Sequence, residues 1–555
     1  MEEGRAIEPQ YSVASNFLKR RWNLILLCLI IIFGFYLRSY HIDYPVIGYH
    51  NWKETHYLTE ARNFARDGFF KHGIFVPEYD YYQGTEGKYG EHPDSFPLTS
   101  IVVAGLFKIF GQSLRVARLS SVLFSVATIV VMYVLVRRLF KREDFALVAA
   151  FITATLPLFV FFGRQVQLEP YAMFFMLVSG YFFLCWKENP NMKNMLLTTS
   201  TFTIGFVSRY DHFTIIFPML VMFPYKRFVE KQYWKQFLVG GLVLLLIPAW
   251  LIYNKALGKA LGVPIVPEGM KPSLLLNSEW WKPIIAYLRD NYTMFGVLLA
   301  GMGLLFLIFF YLKNKSDGNK FLFGFVLSII PWLIISAKYL EGHAYHQFPA
   351  SPVFVLLESM AIIGITSSIT SLFKIKFLKA VGIIALAGLL YFGFGIVEGE
   401  VTAKNRLFDT QFLGLDVAGS YINEHSKPGD KIMHSSGQGY GLMWYADRKG
   451  FKLPKDAQEL ADKEANGARW LFIYQWGFSI MQKSELWDKI KESYGLAQLA
   501  FQQTQQGNVP LYFLMKKGGS FNESLLNDML KNRQPNRKEY ELTRGKVIIW
   551  YINFE

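Results

Sequence analysis

Cysteine is nearly missing from this chain: two in 555 residues, Cys28 and Cys185. Both fall inside apolar blocks, which excludes a disulfide framework and a cysteine-based metal site. No internal repeat or low-complexity segment stands out. No cleavable leader is evident either. Lys19, Arg20 and Arg21 precede an apolar run from Trp22 to Leu37, and no small-residue cleavage site follows it, so the run reads as a signal anchor. Charged residues make up only 18% of the chain against 52% hydrophobic, too apolar for an ordinary soluble protein. A net charge of +15 invites a nucleic-acid partner. The basic residues, however, sit between apolar blocks, as cytoplasmic loops do, and no nucleic acid is expected.

What is present is a series of membrane-length runs whose flanking charges assign sides. The first run enters from the cytoplasm, so the loop from Arg38 to Phe96 lies outside. Pro97–Gly111 is short for a crossing and contains Lys108, which predicts an interfacial helix. Arg115–Val136 ends in Arg137, Arg138, Lys141 and Arg142, a cytoplasmic marker. Further runs are Phe145–Phe162, Tyr171–Trp186, Leu196–Val207, Phe213–Phe223, Leu238–Tyr253, Thr293–Leu312, Phe321–Ile335, Phe348–Ile369 and Ala380–Val397. With these the expectation is a polytopic α-helical membrane protein of about eleven spans, every inner loop basic. From Ala403 the runs become short and β-rich (KIMHSS, RWLFIYQW, LYFLMKK, KVIIWYINF), with helix-like stretches between them. The expected division is a cytoplasmic N-terminus (1–21), a membrane domain (22–402) and an extracytoplasmic α/β domain (403–555).

Four polar clusters fall on the outer side. They are Glu54, His56, Glu91, His92 and Asp94 in the first loop; Arg164, Gln165, Gln167 and Glu169; Arg209, Asp211 and His212; and Lys338, His343, Tyr345 and His346. Ionisable groups at the edge of a membrane domain are costly to desolvate, so they tend to line a wet cavity and have a task. Acids and cations together suit transfer chemistry: a carboxylate deprotonates an acceptor while cations stabilise a departing phosphate.

The motifs HNWKETHYLTEARNF, EHPDSFPL, RVARLSSVLFSVATIVVMYVLVRRLF, FFGRQVQLEP and GHAYHQFPASP, in that order over roughly residues 20 to 365, resemble the PMT/ArnT-type glycosyltransferases of the GT-C class. The resemblance implies an undecaprenyl- or dolichyl-phosphate-linked sugar donor, transfer with inversion at the outer face to a protein, lipid or glycan acceptor, and no nucleotide cofactor. A divalent cation is left open. Three positions depart from the family: its paired acids stand here as Lys53-Glu54, its loop-closing lysine as His92, and its second-loop aspartate as Glu169.

On this reading Glu54 is the leading base, with Glu169 and Glu91 as further acids. Arg209 and Lys338 contact the donor phosphate. His50, His92, Asp94, His343, Tyr345 and His346 contact acceptor or sugar. Each residue also has a plainer role open to it. Glu54 and Arg62 would share a solvated surface helix; Glu91 would salt-bridge a loop end; Glu169, before Pro170, would cap the next span. Arg209 and Lys338 would snorkel to the interface, and Arg115 and Arg118 would anchor lipid headgroups. The competing functions are a lipid-linked sugar flippase, for which repeats and midplane charges would be expected, and a degenerate scaffold.

Overall fold

The computed structural model describes residues 11–82, 90–263, 270–372, 397–435, 440–505, 507–523, 533–543 and 545–554, together with residues 526 and 530. Helices α1 (Tyr11–Ser39) and α2 (Asn51–Asp67) are followed by the two-residue strand β1 (Tyr81–Tyr82) and then α3 (Leu98–Phe110) and α4 (Leu114–Phe140). The membrane part continues through α5 (Glu143–Thr155), α6 (Pro157–Phe162), α7 (Leu168–Glu188), α8 (Met192–Ser208), a 3-10 turn (Tyr210–Ile215) and α9 (Ile216–Met222). It is completed by α10 (Lys231–Leu244), α11 (Leu246–Leu261), α12 (Ser278–Tyr292), α13 (Met294–Lys313), α14 (Asp317–Gly342), a 3-10 turn (Ala344–Ala350) and α15 (Ser351–Leu372).

Among the described residues, seven helical stretches are long and apolar enough to cross a membrane: Arg21–Ser39, Leu114–Phe140, Leu168–Glu188, Lys231–Leu261, Met294–Lys313, Asp317–Gly342 and Ala344–Ser368. The other expected crossings take a different form. Phe145–Phe162 is two helices broken at Leu156, because Pro157 has no N–H to donate and holds the preceding residue extended (ψ 126°). Leu196–Val207 lies in the 17-residue α8, and Phe213–Phe223 is part 3-10 turn, part α9. Residues 380–396 of the last expected run lie outside the described residues.

Local chemistry fixes the helix ends around the site. Ser113 starts α4 by accepting from Val116 N–H at 3.2 Å, and Asn191 starts α8 by accepting from Asn194 N–H at 2.9 Å. Helix α3 has 13 residues, about 20 Å, too short to span. Val103, Ala104 and Phe107 on α3 close over Leu58, Ala61 and Phe64 on α2, making the two helices one packed layer. Outward-facing Leu238, Leu242, Leu246 and Ile252 leave α10 and α11 an apolar exterior suited to lipid.

The C-terminal α/β region is an eight-stranded mixed sheet in the order β1-β3-β2-β4-β6-β5-β8-β7. Here β2 is Lys431–His434, β3 Gly450–Lys452, β4 Ala468–Tyr474, β5 Tyr494–Thr504, β6 Gly507–Lys517, β7 Asn536–Leu542 and β8 Gly545–Asn553. The four runs read as β-rich become β2, β4, β6 and β8. The edge strand β1 comes from the first polar loop and pairs in parallel with β3, Tyr81 opposite Gly450. Ile47, Tyr79 and Tyr81 are buried in one cluster with Ile432, Trp470 and Leu514, so loop and sheet share a core.

Candidate active site

The site is organised by the N-terminal turn of α2. His50, immediately before it, adopts a left-handed backbone (φ 56°), and no side chain caps the helix. That turn points its first residues into the membrane bundle: Asn51, Lys53 and Glu54 are all buried. The expectation of a solvated surface helix carrying Glu54 and Arg62 does not hold, because α2 is covered by α3 on one side and the sheet region on the other.

Lys53 Nζ donates to Glu169 Oε1 and lies 3.2 Å from the centre of the Tyr345 ring. Arg209 Nε approaches the same Glu169 oxygen at 3.5 Å. Arg209 Nη2 lies 2.8 Å from His346 Nδ1 and 3.2 Å from Asp211 Oδ2, while Asp211 Oδ1 accepts from His212 Nδ1 at 2.8 Å. His343 stacks on Tyr345 with ring centres 5.2 Å apart and stands 5.0 Å from His50. Four chain segments thus meet in one buried polar cluster. Of the site residues named from sequence, it gathers His50, Glu169, Arg209, His343, Tyr345 and His346.

Several polar atoms here have no partner among the described residues: Glu169 Oε2, both ring nitrogens of His50, Gln167 Oε1 and His212 Nε2. Buried polar atoms are nearly always bonded. So many unmatched ones converging on one place mark a surface built to meet a polar ligand. Burial, helped by the cations Lys53 and Arg209, pushes the His343 imidazole down to about 4. Burial also lowers His50 well below the usual histidine range, with His343 and Lys53 adding to it. Both rings are therefore neutral near pH 7 and act as hydrogen-bonding groups. Burial alone would raise Asp211, yet the Arg209 charge and the His212 hydrogen bond hold it well below the usual carboxylate range. Burial pushes the Lys53 ammonium down to about 7, against the pull of Glu169.

Glu54 lies beside this cluster but faces away from it. Its carboxylate takes two bonds from Arg118, at 2.8 and 2.7 Å, and a third from Val166 N–H at 3.2 Å. Arg118 is thereby a buried partner of Glu54, not the headgroup anchor expected. Arg115, paired with Asp43 at 2.6 Å, keeps an exposed position. Glu169 lies in the first turn of α7 without capping it, since its side chain turns to Lys53.

The remaining expected site residues lie elsewhere. Glu91 Oε1 is 3.2 Å from His72 Nδ1, and His72 Nε2 is 2.7 Å from Glu78, which also pairs with Lys449. His92 stacks on Tyr79 at 4.7 Å. Asp94 is exposed, and its backbone carbonyl accepts from the Tyr210 hydroxyl at 3.1 Å. Lys338 is exposed on α14, in contrast to the half-buried Arg209. Among the described residues, no group of three His, Cys, Asp or Glu side chains is placed to hold a metal ion.

Sequence reasoning noted Lys53 as a departure and missed its place at the centre. It missed Glu60 altogether. That carboxylate is buried, accepts from Ser100 and lies 3.0 Å from His56, and burial raises it to about 8. The spacing of Glu60 within α2 was visible, but nothing in the sequence showed that α3 would cover it.

Residues 91–253 match the family model described as dolichyl-phosphate-mannose-protein mannosyltransferase. The whole architecture is similar to that of the oligosaccharyltransferase of Archaeoglobus fulgidus in its apo form, with TM-score 0.58 and 12% identity, covering 94% of this chain and 80% of that one. A second structure of that Archaeoglobus enzyme, AglB, carries an inhibitory peptide and a dolichol-phosphate, and matches with TM-score 0.52 and 12% identity over 89% of this chain and 74% of that one. ArnT from Cupriavidus metallidurans bound to undecaprenyl phosphate matches with TM-score 0.53 and 13% identity, covering 95% of this chain and 98% of that one. A search of curated protein sequences returns no match.

Proposed function

Taking the PMT/ArnT-like GT-C glycosyltransferase fold as premise, we propose that this chain transfers a sugar from a polyprenyl-phosphate donor to an acceptor nucleophile at the outer face of the membrane, with inversion. The observation that carries the reading is the Lys53–Glu169–Arg209 triad: one carboxylate with a free oxygen, held between the buried Lys53 and the half-buried Arg209 beside unmatched polar atoms.

The chemistry follows from those charges. The donor is a phosphodiester, and its departure leaves a phosphate monoester with one more negative charge. Lys53 and Arg209 face that developing charge in a low-dielectric setting, where fixed cations stabilise it far more than water-exposed ones would. An anionic donor also competes with Glu169 for Lys53. As the ammonium turns to the phosphate, Glu169 is released to take the proton of the acceptor hydroxyl or amine while the acceptor bonds to the anomeric carbon and the carbon–oxygen bond to phosphorus-bound oxygen breaks. Inversion places base and leaving group on opposite faces of the sugar. Glu54 is the poorer base, because Arg118 and Val166 N–H already engage both its oxygens. The neutral His50 and His343, with Tyr345, offer hydrogen bonds and an aromatic face to a sugar ring. Acceptors in the protein, lipid or glycan classes all supply the required nucleophile.

The test is purified protein in vesicles given a radiolabelled polyprenyl-phosphate sugar and membrane extract as acceptor source. Label moving from the lipid to a covalent product supports the proposal. Label that only changes leaflet would point to a flippase, and label that stays on its lipid in the original leaflet would point to a scaffold.

A further inference from the structure

A polar cavity lies at the start of α2, lined by neither His50 nor Lys53. Arg118, Arg164 and Arg406 line it together with Glu54, Asn51 and Gln165. Arg118 is neutralised by its two bonds to Glu54. The other two guanidinium groups have no carboxylate within ion-pair distance among the described residues. Arg164 donates only to the backbone carbonyls of Tyr40, at 2.6 Å, and His41. Arg406, on the helix Val397–Leu407 that leads into the C-terminal region, gives Nη2 to Asn291 Oδ1 at 2.8 Å. Among the described residues its Nη1 is buried without a partner, and so are both polar atoms of the Asn51 amide. Arg406 is only 7% exposed, with the rings of Phe162 and Tyr49 at 5.3 and 5.8 Å.

Three cations and one carboxylate leave the cavity with two uncompensated positive charges. Burying an unpaired charge is strongly unfavourable, and Arg406 Nη1 also lacks, among the described residues, the hydrogen-bond partner that would offset its desolvation. We infer that Arg406, Arg164 and Asn51 form a binding site for a phosphate monoester, distinct from the Lys53–Glu169 cluster. The charge selects among oxyanions. A monoester dianion neutralises the cavity, whereas a carboxylate or a phosphodiester leaves one charge unmatched. Size selects as well: the cavity is about 20 Å³, on the order of one water molecule. It admits one terminal phosphate oxygen and not a pyranose ring. Guanidinium forks and an amide N–H are the donors that phosphate oxygens take best. Two sources share this chemistry, free inorganic phosphate and a polyprenyl phosphate headgroup. The site needs binding and no turnover, so it stands or falls separately from the transfer reaction.

The experiment uses the full chain in nanodiscs of zwitterionic lipid at constant ionic strength. Melting temperature and equilibrium binding are followed against inorganic phosphate in one arm and against polyprenyl phosphate doped into the nanodisc in the other. Binding and a raised melting temperature in the wild type are expected in at least one arm; a response in the lipid arm alone identifies a headgroup site, and a response to inorganic phosphate identifies a site for the free ion. Arg406→Gln should weaken that binding at least tenfold and should melt no lower than wild type without phosphate, because it removes an unpaired buried charge. Should that variant fail to fold, Asn51→Leu gives the same reading by removing the amide. Arg115→Gln, at the exposed pair with Asp43, should leave the affinity within about threefold. No response to either probe, undiminished binding by both cavity variants, or an equal loss of binding in Arg115→Gln would overturn the assignment.

Discussion

Lys53 and Glu169 are 116 positions apart and form a buried ion pair, with the Lys53 ammonium 3.2 Å from the centre of the Tyr345 ring. The pair ties the first turn of the loop helix to the first turn of α7. It also supplies both charges that the proposed transfer needs. Glu169→Gln removes the base while keeping its size and one acceptor oxygen. General-base removal typically costs about 10²–10⁴ in rate, so turnover should fall by that amount while the lipid donor still binds. Measuring donor affinity and single-turnover rate on the same preparation checks both halves. A variant with turnover within threefold of wild type would clear Glu169 of the base role.

The pH dependence of donor binding should report Lys53. Its ammonium is pushed down to about 7 by burial, so it is charged below that pH and neutral above it. A donor phosphate that recruits Lys53 should therefore bind tightly on the acid side, with affinity declining as pH rises through about 7. Lys53→Arg keeps the charge at all these pH values and should flatten the profile. Titrating labelled donor from pH 5.5 to 8.5 against both proteins provides the comparison; identical slopes would argue that Lys53 does not meet the phosphate.

Much of this was legible in the sequence, and the boundary has physical causes. Charge placement between apolar runs grouped the polar clusters on one expected side, and six of their candidates and neighbours come together: His50, Glu169, Arg209, His343, Tyr345 and His346 meet in space. Runs with a proline or a polar turn inside, such as Phe145–Phe162, hid breaks that hydropathy averages away. Glu54 looked like the base because it is the acid in the loop motif. What rules on it is Arg118, 64 positions later, and a guanidinium facing lipid headgroups reads the same in sequence as one facing a carboxylate. The strand β1 was invisible because two residues carry no alternation, and its partner lies some 370 residues downstream at Gly450.

Glu54 should prove structural. Glu54→Gln leaves Arg118 charged and buried without its counter-ion, and breaking a buried pair from one side typically costs about 3–5 kcal/mol. The expected result is a clear drop in melting temperature, with turnover per folded molecule within about tenfold of wild type. A variant that melts normally yet has lost turnover a thousandfold would restore Glu54 as the base.

Alkaline sensitivity of the loop layer should trace to Glu60. Burial raises its carboxyl to about 8, so the folded state holds a proton that the unfolded chain has released above about 4.5. Stability therefore falls as pH rises from about 4.5 towards 8 and levels off beyond it. Glu60→Gln cannot ionise and should remove that slope while keeping a group able to bond Ser100 and His56. Thermal melts of both proteins between pH 5 and 9 would show it; parallel curves would mean Glu60 is not the group responsible.

The C-terminal region should be needed for activity because it grips the helix that carries Lys53. Arg62 on α2 pairs with Asp80, lies 3.1 Å from Asp447 and donates to the carbonyls of Trp444 and Met443 at 2.8 and 3.0 Å. Asn63 adds bonds to Glu78 O at 2.9 Å and Asp80 Oδ1 at 2.8 Å, and Arg66 reaches Asp447 at 2.7 Å. All three sit on the same helix as Lys53, so loosening them moves the reaction centre without touching it. Arg62→Met keeps the apolar stem against Trp444 and strands the buried Asp80, which should cost about 3–5 kcal/mol locally. Faster hydrogen exchange in α2 and β1, with exchange in α13 and α15 unchanged, is the expected signature. Turnover should fall at least tenfold with the donor phosphate still bound, because misplacing a reacting group by about 1 Å is enough to cost that much. Unchanged exchange in α2, or full turnover in its presence, would show that the C-terminal region does not position the site through Arg62.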